Sequence, residues 1–394
     1  MIAIFPKGGL LKKLIICIRN YLRSKSVFLP FWLMRIVPLP FGFFRKGKRL
    51  RKKITSSVFC IEAGVGGWEL IEFKEFYMSA CEYLGNDRVY KVQISTEESY
   101  LQQIKKALDE KLPTHYLYDP RTASQSTVNQ NWWTVLWQAF SVAFLLHLRG
   151  VIPIVLLTDF SYRKWRMQSA IITAKKGVVM SFVSLREASP IFPHNRIVSP
   201  VLLPLSKTTL TFLDDLYVKR STNLPRRAYF MGSLYEPRTT MLRVISENLK
   251  KSYFSVEIRG RNLGSKKISS DEYWSAFSNE LIVITTAGQI ESSFHHKDWS
   301  WLKQFQYRYL EAIACGALLI APEIAGISRY FVPGEHFVSF TTAEQASKAI
   351  EYYLTNEGER EKIARNGREK AKSLIEAHSF WLCIDIMLGK DSLT

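Results

Sequence analysis

The sequence predicts an α/β protein of two doubly wound, Rossmann-like domains facing a central cleft, preceded by a basic, apolar N-terminal arm. Three observations predict it. At 394 residues the chain has room for two domains, at roughly 100–200 residues each. From about residue 55 onward, short apolar strands alternate with amphipathic helices, the rhythm of a parallel sheet covered on both faces. A polar stretch at 206–225, lacking a clean long period, interrupts that rhythm. The expected division is an arm at 1–53, a first domain at 54–205, a linker at 206–225 and a second domain at 226–394.

The arm stands apart in charge. Residues 1–61 hold 14 Lys and Arg and no Asp or Glu, while the other 333 residues hold 40 basic and 35 acidic groups. "LLKKLIICIRNYLRSK" (10–25) sets apolar residues at helical spacing among basic ones, and "VFLPFWLMRIVPLPFGFF" (27–44) is aromatic-rich. The second stretch is at the lower length limit for a bilayer span and contains Arg35 and three prolines, which disfavours spanning. Residues 10–53 are therefore expected to lie at an anionic membrane surface, with aromatics at headgroup depth and basic groups drawn to the lipid charge. A nucleic-acid arm is the alternative, but the apolar segment favours lipid, and nucleic acid is not an expected partner. The five cysteines (Cys17, Cys60, Cys81, Cys315, Cys383) are scattered and lack CxxC spacing, against a disulfide framework or zinc cluster and in keeping with a reducing compartment.

The first domain opens with a strand at Val58 to Ile61, a glycine turn at Gly64, Gly66 and Gly67, and a helix carrying Leu70, Phe73, Tyr77 and Cys81. Such a turn lets backbone N–H groups approach a ligand at the positive end of the next helix. It is also a common tight turn, and no phosphate-loop lysine follows. A strand at 89–95 precedes a helix at 101–112, with Leu101, Ile104, Leu108 and Leu112 on one side. "THYLYDP" (114–120) is a strand. "WWTVLWQAFSVAFLLHL" (132–148) reads as a buried helix feeding the strand "GVIPIVLLTD" (150–159).

The second domain repeats the rhythm. Strands "AYFMGSLY", "FSVEIRG", "LIVITTAG" and "ALLIAPE" alternate with helices, and two short helices close the chain. Before the last of those strands lies "QYRYLEAIACG" (306–316). Arg308 and Glu311 are i and i+3 and share one helical face. Both are placed near the helix start, where the macrodipole favours anions. Arg308 is suited to a diphosphate, and a carboxylate accepts two hydrogen bonds from a ribose diol. Gly316 is expected to end the helix at positive φ. The plain structural reading is a helical ion pair.

This half, from 226 to about 388, resembles the group-1, family-4-like C-terminal domain of GT-B glycosyltransferases, in the compact form of spore-maturation-type proteins. "MGSLYEPR" (231–238), "YRYLEAIACGALLIAP" (307–322), "YFVPGEHFVSF" (330–340) and "NGREKAKSLIEAHSF" (366–380) carry the resemblance in order and spacing. It implies a GT-B fold and transfer of a sugar from a nucleotide-diphosphate-sugar to an acceptor. It also implies that Glu311 takes the ribose and that Arg308, with Arg238, Arg259 or Arg261, takes the diphosphate. Gly232 belongs to the same donor site, and His295 and His296, in the loop feeding the helix, are placed against phosphate or sugar. Lys303 stands where retaining enzymes of this group carry a first glutamate, so retention is not implied. No D-x-D motif occurs. Neither a metal nor another cofactor is expected, since Arg, Lys and helix dipoles would neutralise the diphosphate.

An inverting reaction needs a base in the first domain within ~3 Å of the acceptor hydroxyl. Asp159 at the end of "IPIVLLTD" is the first choice, with Asp119 and Glu62 as alternatives. The expected function is a glycosyltransferase at the cytoplasmic face of a membrane, acting on a glycan or lipid-linked precursor. The alternative is an inactive GT-B-shaped structural or binding protein of an envelope assembly, a reading that Lys303 motivates.

Overall fold

The computed structural model describes residues 58–65, 71–119, 132–157, 173, 177–181, 197–260, 269–286 and 304–390, except Thr96, Thr222, Tyr235 and Pro237. The arm, Gly66, Gly67, Asp159, Arg261, His295, His296 and Lys303 lie outside the described residues.

The first lobe runs β1 (Phe59–Val65), α1 (Ile71–Leu84), β2 (Val89–Ile94), α2 (Tyr100–Lys111), β3 (His115–Tyr118), α3 (Trp132–Leu148), β4 (Ile152–Leu157), β5 (Val178–Ser181) and β6 (Ile197–Val198). Its strands pair in parallel in the order β2-β1-β3-β4-β5-β6. The central strand β4 is buried along its whole length, as an apolar strand covered on both faces should be. Gly64, assigned to a turn by sequence, lies within β1, where the pairing with β2 shifts register between Glu62 and Val65.

The second lobe holds β7 (Ala228–Gly232), α5 (Arg238–Lys251), β8 (Val256–Gly260), α6 (Ser270–Ser278), β9 (Ile282–Ile284), α7 (Tyr307–Ala314), β10 (Leu318–Pro322), β11 (Val338–Phe340), α8 (Ala343–Thr355) and α9 (Glu357–Glu376). Its parallel sheet has the order β11-β10-β9-β7-β8. The end of α7 follows the expectation. Gly316 has φ +79, its N–H donates to the Ile313 carbonyl, and the Ala317 N–H reaches back to Ala312. That pair of bonds is a Schellman motif, open to glycine because αL costs it nothing.

Three further sequence expectations change. The stretch read as a linker is mostly helix, α4 (Lys207–Val218). Its buried stripe is short, Thr209, Leu210 and Leu213, so it shows no long apolar period. Tertiary contacts hold it instead. Glu75 of α1 accepts from the Ser206 N–H and hydroxyl, both at 2.8 Å, and from the Thr209 hydroxyl at 2.6 Å. Glu82 accepts from the N–H groups of Lys207 and Thr208. Two carboxylates from the first lobe thus meet the positive end of α4. Its other end grips the second lobe, where Asp214 accepts from Arg368 and Lys372 and the Arg368 guanidinium lies 4.0 Å over the Tyr217 ring.

The closing helices also differ. α9 is 20 residues long, and a third helix, α10 (Ser379–Lys390), follows it. α10 leaves the second lobe and packs on the first. The Trp381 indole N–H donates to the Ser79 hydroxyl at 3.1 Å, Trp381 meets Phe59 edge-on, and Phe380 meets Phe76. One apolar core therefore runs from Phe59 and Phe76 through Leu210 to Tyr307 and Ile313. A second core, with Phe230, Leu242 and Ile350, fills the far face of the second sheet. The third change is in α2: Leu112, expected on its buried side, is 75% exposed and ends the helix at φ +45. Tyr100, Gln103, Ile104 and Leu108 form the buried side. Among the described residues no helix is long and apolar enough to cross a membrane.

Candidate functional site

Both sheets reverse their winding between the first and third strands, β1 beside β3 and β7 beside β9. Open parallel sheets offer a crevice at such a switch point, beyond the carboxyl ends of the strands. The charged residues singled out by sequence collect at those two places.

In the second lobe, β7 ends at Gly232. Arg238, the first residue of α5, is buried and spans the switch point. Its Nε donates to the Thr286 hydroxyl at 2.9 Å and its Nη1 to the Ser233 carbonyl at 2.7 Å. The guanidinium lies 5.4 Å from the Phe230 ring centroid. Arg308 approaches the same ring at 5.9 Å and the Phe277 ring at 5.6 Å. A Cβ on Gly232 would stand 2.7 Å from Arg308 Nη1, so glycine is what admits the guanidinium. Two cations thus converge on one aromatic ring at the end of one strand.

Glu311 faces this corner. Arg308 Nε is 3.4 Å from its Oε2, at the long limit of a hydrogen bond, and the Tyr273 hydroxyl lies beside the same carboxylate. Burial pushes the Glu311 pKa above the ordinary carboxylate value. Arg308 and Tyr273 oppose that rise, and the charge of Glu72 adds to it. Glu311 is the fifth residue of an eight-residue helix, so the macrodipole, expected to help it, acts mainly on the first turn where Arg308 stands. Its charge is supported by side chains. Arg259 sits one strand further out. It is 60% exposed, donates to Glu257 at 2.8 Å and lies 5.8 Å from the Tyr229 ring.

In the first lobe the switch point holds two buried carboxyls. Glu62 near the end of β1 accepts from the hydroxyls of Tyr100 at 2.6 Å and Tyr116 at 2.9 Å, and from the Asp119 N–H at 3.3 Å. Burial raises its pKa to about 8, against the pull of the tyrosine hydroxyls, and the charge of Asp119 adds to the rise. Asp119 follows β3 and is 1% exposed.

Comparison with known proteins bears on the fold that carries these two corners. Residues 238–379 match the family described as glycosyl transferase-like. The chain shares its fold with HepE from Anabaena, solved in complex with UDP-glucose (TM-score 0.53, 9% identity, covering 85% of this chain and 99% of that one). It also shares it with sucrose-phosphate synthase from Thermosynechococcus elongatus (TM-score 0.53, 12% identity, 84% and 97%). The fold is GT-B, and residues 238–379 are similar to the glycosyl transferase-like family. No curated protein sequence matches the chain.

Of the residues that sequence placed at the donor side of this GT-B chain, the structure brings together Glu311, Arg308, Arg238 and Gly232. Arg259 stands beside them, engaged with Glu257. Thr286 and Tyr273 complete the corner and were not foreseen. A threonine after an apolar strand and a tyrosine on a short helix carry no sequence signal of their own. Glu62 was named third among bases; its enclosure by Tyr100 and Tyr116 comes from three strands and helices far apart in the chain.

Proposed function

We propose that the chain transfers a sugar from a nucleotide-diphosphate-sugar, bound at the end of β7, to an acceptor bound at the first lobe. The observation that carries this is the convergence of Arg238 and Arg308 on the Phe230–Gly232 corner, with Glu311 beside them; Arg238, Arg308 and Glu311 all fall within the residues that match a glycosyl transferase-like family. In this reading the Arg308–Glu311 contact is the resting arrangement. Donor binding turns Arg308 toward the diphosphate, and Glu311 keeps Tyr273 and accepts the ribose hydroxyls. The acceptor oxygen bonds to the anomeric carbon as the carbon–oxygen bond to the diphosphate breaks. The leaving diphosphate keeps that electron pair, and its charge is met by both guanidiniums and the amino end of α5 without a metal. The acceptor proton passes to a carboxylate of the first lobe, Asp159 or Asp119. His295, His296 and Lys303 belong to the donor side, and Gly64, Gly66 and Gly67 to the acceptor side.

The acceptor in this reading is a glycan or lipid-linked precursor, and the basic arm at 10–53 holds the protein peripherally at the inner face of a membrane. Because HepE was solved with UDP-glucose, uridine donors are the first to test. Thermal stabilisation is measured over a panel of nucleotide sugars, with release of nucleoside diphosphate, for wild type and Glu311→Ala. A donor at a hundred times its dissociation constant adds ~2.7 kcal/mol. The expected result is stabilisation by one nucleotide family, lost in Glu311→Ala, with slow diphosphate release. Stabilisation without any turnover on glycan or lipid-linked acceptors would favour the inactive binding protein. No stabilisation at all would remove the donor site.

A further inference from the structure

We infer that the Thr285 hydroxyl is a hydrogen-bonding group for the ribose of the donor nucleotide, which makes Thr285 a specificity-determining residue of the site. The inference rests on the donor-site reading above. Thr285 follows β9, an apolar strand in which Ile282, Val283 and Ile284 are all buried. The ladder continues past Ile284, because the Thr285 N–H donates to the Ile320 carbonyl of β10 at 3.1 Å. Thr285 is itself 1% exposed, and its hydroxyl oxygen is buried with no hydrogen-bond partner among the described residues. Valine has nearly the same shape without the hydroxyl and would continue the strand as it began. A buried hydroxyl that bonds to nothing costs the folded chain stability. Its presence at a strand end beside the donor corner points to a partner from outside the chain.

The place of that hydroxyl says which partner. Val283 packs in the core that holds Leu310 and Ile313 of α7, and Ile284 in the far core with Phe230 and Leu242. Side chains alternate along a strand, so Thr285 faces the α7 side and Thr286 the α5 side. The bond from Arg238 of α5 to Thr286 agrees. The register that pairs Val283 with Tyr229 and Ile284 with Ile320 sets Met231 and Ala321 on either side of Thr285. Alanine offers no polar side-chain atom, and the Met231 sulfur already meets the Tyr229 hydroxyl at 3.5 Å. α7 begins at this same end of the sheet, tied by the Tyr309 hydroxyl to the Pro322 carbonyl that closes β10. Thr285 and Glu311 thus belong to one face of one sheet end, while Arg238 and Thr286 hold the other. Their chemistry is complementary. A carboxylate accepts only, so Glu311 takes the hydrogens of a ribose diol but gives nothing to its oxygens, whereas a threonine hydroxyl donates. The diphosphate is already served by two guanidiniums.

The test titrates UDP, CDP, ADP and GDP, each beside its 2′-deoxy and 3′-deoxy analogues, into wild type, Thr285→Val and Thr285→Ser by calorimetry. The expected result is a nucleoside diphosphate that binds wild type and Thr285→Ser alike and Thr285→Val about tenfold more weakly. One of its deoxy analogues should bind wild type and Thr285→Val equally, because it lacks the hydroxyl that Thr285 holds. Without ligand, Thr285→Val should melt no lower than wild type, whereas loss of a hydroxyl that served the fold would lower the melting temperature. Equal binding of the ribonucleotide by wild type and Thr285→Val would overturn the inference and leave the donor site standing. The same deficit persisting in both deoxy analogues would also overturn it, moving Thr285 from the ribose to the phosphates. Binding of none of the four to wild type would remove the donor site itself, and the inference with it.

Discussion

Gly232 and Glu62 show how single atoms decide each switch point. At Gly232 a methyl group would stand 2.7 Å from Arg308 Nη1. Gly232→Ala should therefore displace that guanidinium while leaving the buried core of the lobe intact. Gly232 also holds φ +155, which alanine adopts only with strain, so the expected outcome is at least a tenfold weaker donor affinity by calorimetric titration together with a lowered melting temperature. Unchanged affinity would mean that Arg308 does not touch the donor. At Glu62 the signal is pH. A carboxyl raised from 4.5 to about 8 in the folded protein holds its proton where the unfolded chain has lost it. Its stabilisation is complete below the unfolded value and is lost as pH rises toward about 8. His115 acts oppositely: burial lowers it from 6.5 to about 4, so stability rises across that lower window. Between pH 6.5 and 8 the Glu62 effect stands clear of the His115 effect. The stability difference between Glu62→Gln and wild type should grow in favour of the variant across that window. A difference independent of pH there would show that Glu62 is already ionised in the folded state.

At the scale of elements, α4 and α10 matter most, and they are the two that sequence did not give. Strands such as β4 and helices such as α3 were legible because their own apolar residues decide them. The Gly316 terminus was legible because one residue type fits αL. The Arg308–Glu311 pair was legible because three-residue spacing fixes a common face. α4 was not, since its amino end depends on Glu75 and Glu82, more than 120 residues earlier. Removing Glu75 leaves the Ser206 N–H and the Thr209 hydroxyl buried without their acceptor. Glu75→Ala should then cost ~1–3 kcal/mol, measured by urea denaturation. Glu75→Gln keeps an acceptor and should recover part of the loss. A loss below a few tenths of a kcal/mol would show that water replaces the carboxylate.

Across the whole molecule, the two lobes share one core and two ties, so they should unfold together. α4 binds the first lobe through Glu75 and Glu82 and the second through Asp214. α10 carries Phe380 and Trp381 from the second lobe onto Phe76 and Phe59. Trp381 is fully buried, and truncating such a residue costs ~3–5 kcal/mol. Most of that loss falls on the contact between lobes rather than within either. Wild type should therefore give one calorimetric transition, which a bound donor shifts as a unit. In Trp381→Ala the transition should broaden or divide, and the donor should then shift mainly the part belonging to the second lobe, where Arg238, Arg308 and Glu311 lie. A variant that melts in a single lowered transition, still shifted whole by the donor, would place the coupling in α4 and the Tyr307–Pro204 and Tyr330–Pro200 hydrogen bonds instead.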